Sequence, residues 1–307
     1  MLPWILIWRD QSNTRDIAMP ETTNIYTTVI DTVALAACLA RSDWTVVDCR
    51  FDLFDTEAGR RAYREAHIAG AQYAHLEEDL SAPAVPGGAR HPLPEPERLA
   101  QLFSHWGITA GTQLVVYDNS GGAIAARLWW LARWLSHRRV AVLDGGWEKW
   151  LAEARPVSMD APRLPGGHFA TAVQTNMVVD AATIERLRTL QEWRLLDARA
   201  RERFLGLQEP IDRIAGHVPG AVNLPYTRNL DGNGCLRSAA ELKHAFENVT
   251  GDVASDHIAC MCGSGVTACH LLLAMEHAGL HGARLYAGSW SEWISDGRRP
   301  VARGKTA

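Results

Sequence analysis

The run Cys262-Gly263-Ser264-Gly265-Val266-Thr267 carries one nucleophile among small residues. It stands between a short apolar run at 258–261 and an apolar run of helical spacing at 266–278. In an open α/β sheet, ligands bind at the carboxyl ends of strands. Glycines there let the backbone curl around one atom with several N–H groups aimed inward. The helix that follows adds the positive end of its dipole. A thiol so placed ionises more readily than in water and becomes a strong nucleophile. Most free cysteines are simply small buried hydrophobes, but the glycines on a strand-to-helix turn favour the reactive reading. Gly263, Ser264, Gly265, Val266 and Thr267 are then the cradle that binds the negative charge of a substrate.

The elements that must position this loop occur twice. Val46-Val47-Asp48-Cys49-Arg50 answers Leu195-Leu196-Asp197-Ala198-Arg199, and Ala66-His67-Ile68-Ala69-Gly70-Ala71 answers Gly216-His217-Val218-Pro219-Gly220-Ala221. Val116 to Gly121 answers Cys260 to Gly265, and Leu143-Asp144-Gly145-Gly146-Trp147 answers Tyr286-Ala287-Gly288-Ser289-Trp290. Four blocks in one order at nearly constant offset indicate duplication of a whole domain. Each half alternates short apolar runs (45–48, 114–117, 140–143; 195–197, 258–261, 284–286) with helical patterns such as 123–135 and 266–278. That alternation predicts an α/β fold, two tandem domains with a mainly parallel sheet and helices on both faces of each. Proline and glycine crowd residues 156–175, which reads as a linker between domains at 20–155 and 176–303. Residues 1–19 read as an extension, with 1–18 poorly ordered and Met19 an alternative start. Asp118 occupies the place of Cys262 in the first half. It cannot act as a thiolate, so that half reads as catalytically silent, its carboxylate fixing the loop.

Composition narrows the function. The 307 residues are 47% hydrophobic and 21% charged with a net charge of −4, which gives no basic excess for nucleic acid or anionic lipid. No apolar run approaches the roughly 18 residues of a membrane span. Six cysteines without a CxxC pair suggest neither a disulfide framework nor a zinc site, and favour a reducing cytoplasm. Many of the twelve tryptophans fall on helix-like segments and read as packing.

The segment from Cys262 through Thr267 to Ala268-Cys269-His270 resembles the active loop of two-domain rhodanese-type sulfurtransferases. It is closer to the 3-mercaptopyruvate branch than to thiosulfate enzymes, whose loop carries basic residues. Tyr63, His67-Ile68, Gly216 to Ala221, Asp197-Ala198-Arg199, Arg203-Phe204-Leu205-Gly206 and Gly288-Ser289-Trp290 extend the resemblance over most of the chain. It implies two rhodanese-like domains and sulfur transfer through a Cys262 persulfide, with no metal or organic cofactor. The partners it implies are a small anionic donor (3-mercaptopyruvate or thiosulfate) and an acceptor that is cyanide, a thiol or a thioredoxin-like protein. Arg203 matches the family's arginine for the donor's anionic group. The mercaptopyruvate branch carries a second arginine just after a Glu-Pro pair. Here Glu209-Pro210 is followed by Ile211, Asp212 and Arg213, so Arg213 is the candidate for that place. His67 and Asp55 resemble a first-domain His and Asp near the family's cleft, which makes His67 a candidate substrate-binding residue with a backbone-bonding role as its equal alternative; for His217 the backbone-bonding role is the reading taken.

Two other functions compete. Cysteine-loop phosphatases and arsenate reductases need Cys-x5-Arg, and the sixth residue after Cys262 is Ala268. A non-enzymatic binding module built from two silent domains would lack the nucleophile in both halves.

Overall fold

The structure is a computed structural model describing residues 24–162 and 166–304. The expected extension at 1–19 lies outside the described residues. Short Val-, Ile- and Leu-rich runs, covered on both faces, form two five-stranded sheets. The first contains β1 (Val29–Ile30), β2 (Trp44–Asp48), β3 (Gln72–Tyr73), β4 (Gln113–Tyr117) and β5 (Val140–Leu143) in the order β1-β5-β4-β2-β3. The second contains β6 (Val178–Val179), β7 (Arg194–Asp197), β8 (Val222–Asn223), β9 (Ile258–Met261) and β10 (Arg284–Tyr286) in the order β6-β10-β9-β7-β8. The order is the same in both sheets, and every pairing in them is parallel. Every residue of the central strands β4 and β9 is buried, as a parallel strand covered by helices requires.

The helices Ala125–Trp134 and Ala268–His277 follow β4 and β9 and pack against each other between the sheets. Both are apolar on nearly every face, which fits burial on all sides. One apolar cluster therefore runs through both halves, from Leu114 and Trp130 to Leu271 and Leu285. Both helices begin two residues later than the apolar pattern suggests. In the first, Ile124 and Ala125 give their N–H groups to the Asp118 carboxylate at 2.7 and 2.8 Å, so the loop uses them before the helix does.

The repeated Asp-x-Arg blocks build the same buried stack twice. Arg50 binds Asp48 at 2.6 Å and lies 4.3 Å over Trp147; Arg199 binds Asp197 at 2.7 Å and lies 4.6 Å over Trp290. Trp150 and Trp293 donate to the carbonyls of Pro156 and Pro300. These tryptophans pack the halves. The breaker-rich linker conceals a strand: Val157–Ser158 pairs antiparallel with His67–Ile68, and in the second half His217 bridges Ala302 in the same sense. Among the described residues no helix is long and apolar enough to cross a membrane.

Candidate active site

Cys262 follows the last residue of β9, at the carboxyl edge of the second sheet. Its own N–H donates to Ser289 Oγ at 3.0 Å, and its carbonyl accepts from Trp290 N at 3.0 Å, so the β10 turn fixes its backbone. Gly265 turns the loop at φ +79°; a Cβ there would sit 2.4 Å from the Ala287 carbonyl oxygen. The Gly265 N–H lies 3.1 Å from Cys262 Sγ. The residue is 2% exposed and lines a cleft of about 340 Å³. Phe51, Leu53, Ile124, Ile211 and Tyr226 supply apolar wall from both halves. A slightly larger hollow, about 380 Å³, opens beside Trp129, Arg133 and Glu276 but has no cysteine among its lining residues.

One amide meets the sulfur where a ring of amides was expected. The first half explains the difference. Fully buried Asp118 accepts from Ser120 N and Gly122 N at 2.8 Å, Ile124 N at 2.7 Å and Ala125 N at 2.8 Å. Its carboxylate oxygens stand one bond further from the backbone than a thiol sulfur does, and so reach donors that Sγ does not.

Ser264, Val266 and Thr267 line the cleft with Cys262 and Gly263. Ser264 Oγ is 2.7 Å from Nδ1 of His91, which is brought over the loop by the first half. Burial first, then the charges of Arg90 and Arg127, hold the His91 ring down to about 3. The ring is neutral near pH 7, so the 3.6 Å approach of Glu77 to its Nε2 is not an ion pair. Beneath, the fully buried guanidinium of Arg127 donates to the Gly265 carbonyl at 3.1 Å and to the carbonyls of His91 and Pro92 at 3.2 Å. One side chain thus ties the cysteine loop to the segment carrying His91.

Arg203 lies in the cleft, with its side chain 16% exposed, and is paired with Glu209 at 2.8 Å and Asp212 at 2.8 Å. The arginine is thus ion-paired and lines the site as well. Arg213 is a correction: its guanidinium bonds the Ile294 carbonyl and it is not among the cleft's lining residues. Arg90, from the first half, stands there instead. His67 is a second correction, because its Nδ1 and Nε2 meet the carbonyls of Tyr63 and Asp160 at 2.7 and 3.1 Å, outside the cleft. Asp55 pairs with Arg61 on the surface. His217 bonds the Phe204 carbonyl at 2.7 Å, the backbone role expected of it. Cys260 and Cys269 are fully buried; burial pushes the Cys269 thiol up to about 12 and raises that of Cys260 further. All six cysteines are free.

Sequence reasoning missed Arg90, His91, Glu77, Asp212 and Arg127. Arg90 meets Asp212, and His91 meets Ser264, only through the packing of the halves. Arg127 left a signal: one charge inside the otherwise apolar start of a buried helix, Ala-Ala-Arg-Leu-Trp-Trp.

A rhodanese-like domain matches residues 32–153 and again 180–296. The chain belongs to the rhodanese-like family. The Pseudomonas aeruginosa protein named "Probable 3-mercaptopyruvate sulfurtransferase" is 46% identical over 88% of this chain and 96% of its own length. A thiosulfate sulfurtransferase of Rattus norvegicus is 34% identical over 81% of this chain and 84% of its own. The solved 3-mercaptopyruvate sulfurtransferase from Leishmania major superposes with a TM-score of 0.77 at 29% identity, covering 90% of this chain and 76% of that one. This rhodanese-like chain is a sulfurtransferase, a two-domain α/β protein.

Proposed function

We propose that the chain moves sulfur from 3-mercaptopyruvate, in preference to thiosulfate, to a thiophilic acceptor through a persulfide on Cys262. In this reading residues 176–303 are the catalytic domain, residues 20–155 are silent, and 156–175 link them. The observation that carries it is the contrast between the two loops. The outer sulfur of a persulfide extends one bond past Sγ, to the depth at which Asp118 gathers four amides in the first half. Ser264, Val266 and Ala268 hold the counterpart positions of Ser120, Gly122 and Ile124. Their amides would stabilise a sulfur anion as an oxyanion hole stabilises oxygen.

The Cys262 thiolate attacks the sulfur of 3-mercaptopyruvate. An S–S bond forms, the C–S bond breaks, and its electron pair passes to the methylene carbon. The proton carried by the donor's thiol ends on that carbon, and pyruvate leaves. Ser264, bonded to neutral His91, is positioned to relay this proton. With thiosulfate an S–S bond breaks instead and sulfite leaves with the pair, needing no proton. Cyanide, a thiol or a thioredoxin-like protein then attacks the outer sulfur and releases the thiolate, so one hard transfer becomes two easier ones. Unpaired cysteines throughout the described residues favour a reducing compartment, the cytoplasm.

Intact mass after incubation with donor tests the reading. One sulfur adds about 32 Da, removable by cyanide and absent in Cys262→Ser. An unchanged mass with both donors refutes it.

A further inference from the structure

Two guanidinium groups from opposite halves converge on Gly263, the residue after the nucleophile. Arg90 Nη2 lies 3.0 Å, and Arg203 Nη2 and Nη1 lie 3.5 and 3.6 Å, from the point where a side chain at 263 would begin. One carboxylate holds both. Asp212, its side chain 5% exposed, binds Arg90 Nη1 at 2.6 Å and Arg203 Nη2 at 2.8 Å. Glu209 binds Arg203 from the other side. Arg90 Nε and Nη2 and Arg203 Nη1 are left without a hydrogen-bond acceptor among the described residues. These unused N–H groups border the cleft that holds Cys262. The Arg90 backbone is fixed as well, since its N–H donates to Ser291 Oγ at 3.0 Å across the halves.

We propose that Arg90 and Arg203 together anchor the donor's carboxylate, and that Asp212 sets the charge of the site so that a singly charged 2-oxo acid is preferred to doubly charged thiosulfate. The proposal deepens the function given above and rests on it. Ile211, beside Asp212, gives the cleft an apolar wall and no charge. Arg90 supplies the second guanidinium from the opposite direction, and a planar N–H fork suits a carboxylate. Around the cleft, Arg90, Arg199 and Arg203 face Asp197, Glu209 and Asp212. Arg127, buried beneath the loop and bonded only to carbonyls, is a further cation, and the Cys262 thiolate balances it. Each negative charge on the donor beyond the first therefore meets the carboxylates and the sulfur anion with no further cation among these residues to offset it. In a low-dielectric cleft that repulsion scales with donor charge.

The test is steady-state kinetics of the full chain with both donors. Arg90→Met should raise KM for 3-mercaptopyruvate about tenfold or more with kcat within about threefold, and Arg90→Lys should fall between it and wild type. Asp212→Asn should raise the ratio of kcat/KM for thiosulfate to kcat/KM for 3-mercaptopyruvate by about tenfold. A merely structural role for Asp212 would lower both donors alike and leave that ratio unmoved, which overturns the charge-setting role. A KM within twofold of wild type in Arg90→Met, or in Arg90→Lys should the methionine variant not fold, overturns the anchor. If wild type itself gains no sulfur mass, the reading of Cys262 fails and carries this one with it. If wild type gains the sulfur and the variants behave like it, this proposal alone falls.

Discussion

Removing the Asp118 carboxylate should cost stability and leave sulfur transfer chemistry in place. Asp118 is fully buried and takes four backbone N–H donors at 2.7 to 2.8 Å. Hydrogen bonds to a charged acceptor contribute about 1.5–3 kcal/mol each, and a simple total of roughly 6–12 kcal/mol overshoots. Keeping the charge buried costs several kcal/mol, and in Asp118→Ala a water can enter the space and bond some of the stranded amides. The net loss expected is about 3–5 kcal/mol, near that for breaking other buried charged clusters. Asp118→Asn keeps one acceptor oxygen but turns an amide donor toward the remaining N–H groups, so it should lose about half as much. Urea unfolding followed by circular dichroism gives the free energies, and intact mass after donor gives persulfide yield on the same samples. A loss under about 1 kcal/mol for Asp118→Ala, with an unchanged denaturant slope, would refute the view that four amides around one anion hold this loop. Asp118→Cys in a Cys262→Ser background should gain no sulfur. The position aligned with Arg203 falls at Leu53 or Phe54, both apolar, and Leu230 of the second half lies 2.5 Å from the place of a Cβ on Gly121, covering the loop.

Ser264→Ala should lower kcat with 3-mercaptopyruvate by about 10²-fold, the usual size of a lost proton relay, and affect thiosulfate far less because sulfite leaves without a proton. Equal losses with both donors would remove Ser264 from proton handling. Acid should destabilise the fold before the carboxylates titrate. Burial holds His91 down to about 3 and His270 to about 4, and lowers His137, His217 and His277 in the same direction. The unfolded chain takes up protons near 6.5, so it binds more of them than the folded chain below that pH. Stability is therefore full above about pH 7 and falls as the pH drops through 6.5 toward 4, by up to about 1.4 kcal/mol per pH unit for each of His91 and His270. Equal unfolding free energies at pH 7.0 and 5.0 would contradict this.

The central architecture was legible because buried parallel strands and buried helices leave strong local patterns. The runs at 114–117, 140–143 and 258–261 fall within one residue of β4, β5 and β9. Two-residue edge strands such as β3 and β8 have no period to read, and Val157–Ser158 lies among helix breakers. The cysteine loop was legible for a different reason, since its glycines and nucleophile are consecutive in sequence. The anchoring arginine was not. Arg213 matched by proximity to Glu209-Pro210, yet the chain there turns its side chain to the Ile294 carbonyl. Arg90 stands 122 residues before Asp212, with nothing local to mark it. Contacts made only when two domains close leave no periodic trace in either one.

That dependence on packing gives the first half a part in the site. Arg90, His91 and Arg127 come from it; Cys262, Arg203 and Asp212 come from the other half. On the function proposed above, the Cys262 loop holds its amides for a sulfur anion, which costs stability while the loop is empty. In the first half an aspartate fills the equivalent amides permanently, and the loop so stiffened receives His270 Nε2 at the Gly121 carbonyl, 3.0 Å away. Duplication thus separates two demands that conflict within one loop. One copy is closed around its own carboxylate and braces the interface. The other is left open, and the braced copy holds His91 and Arg90 over it.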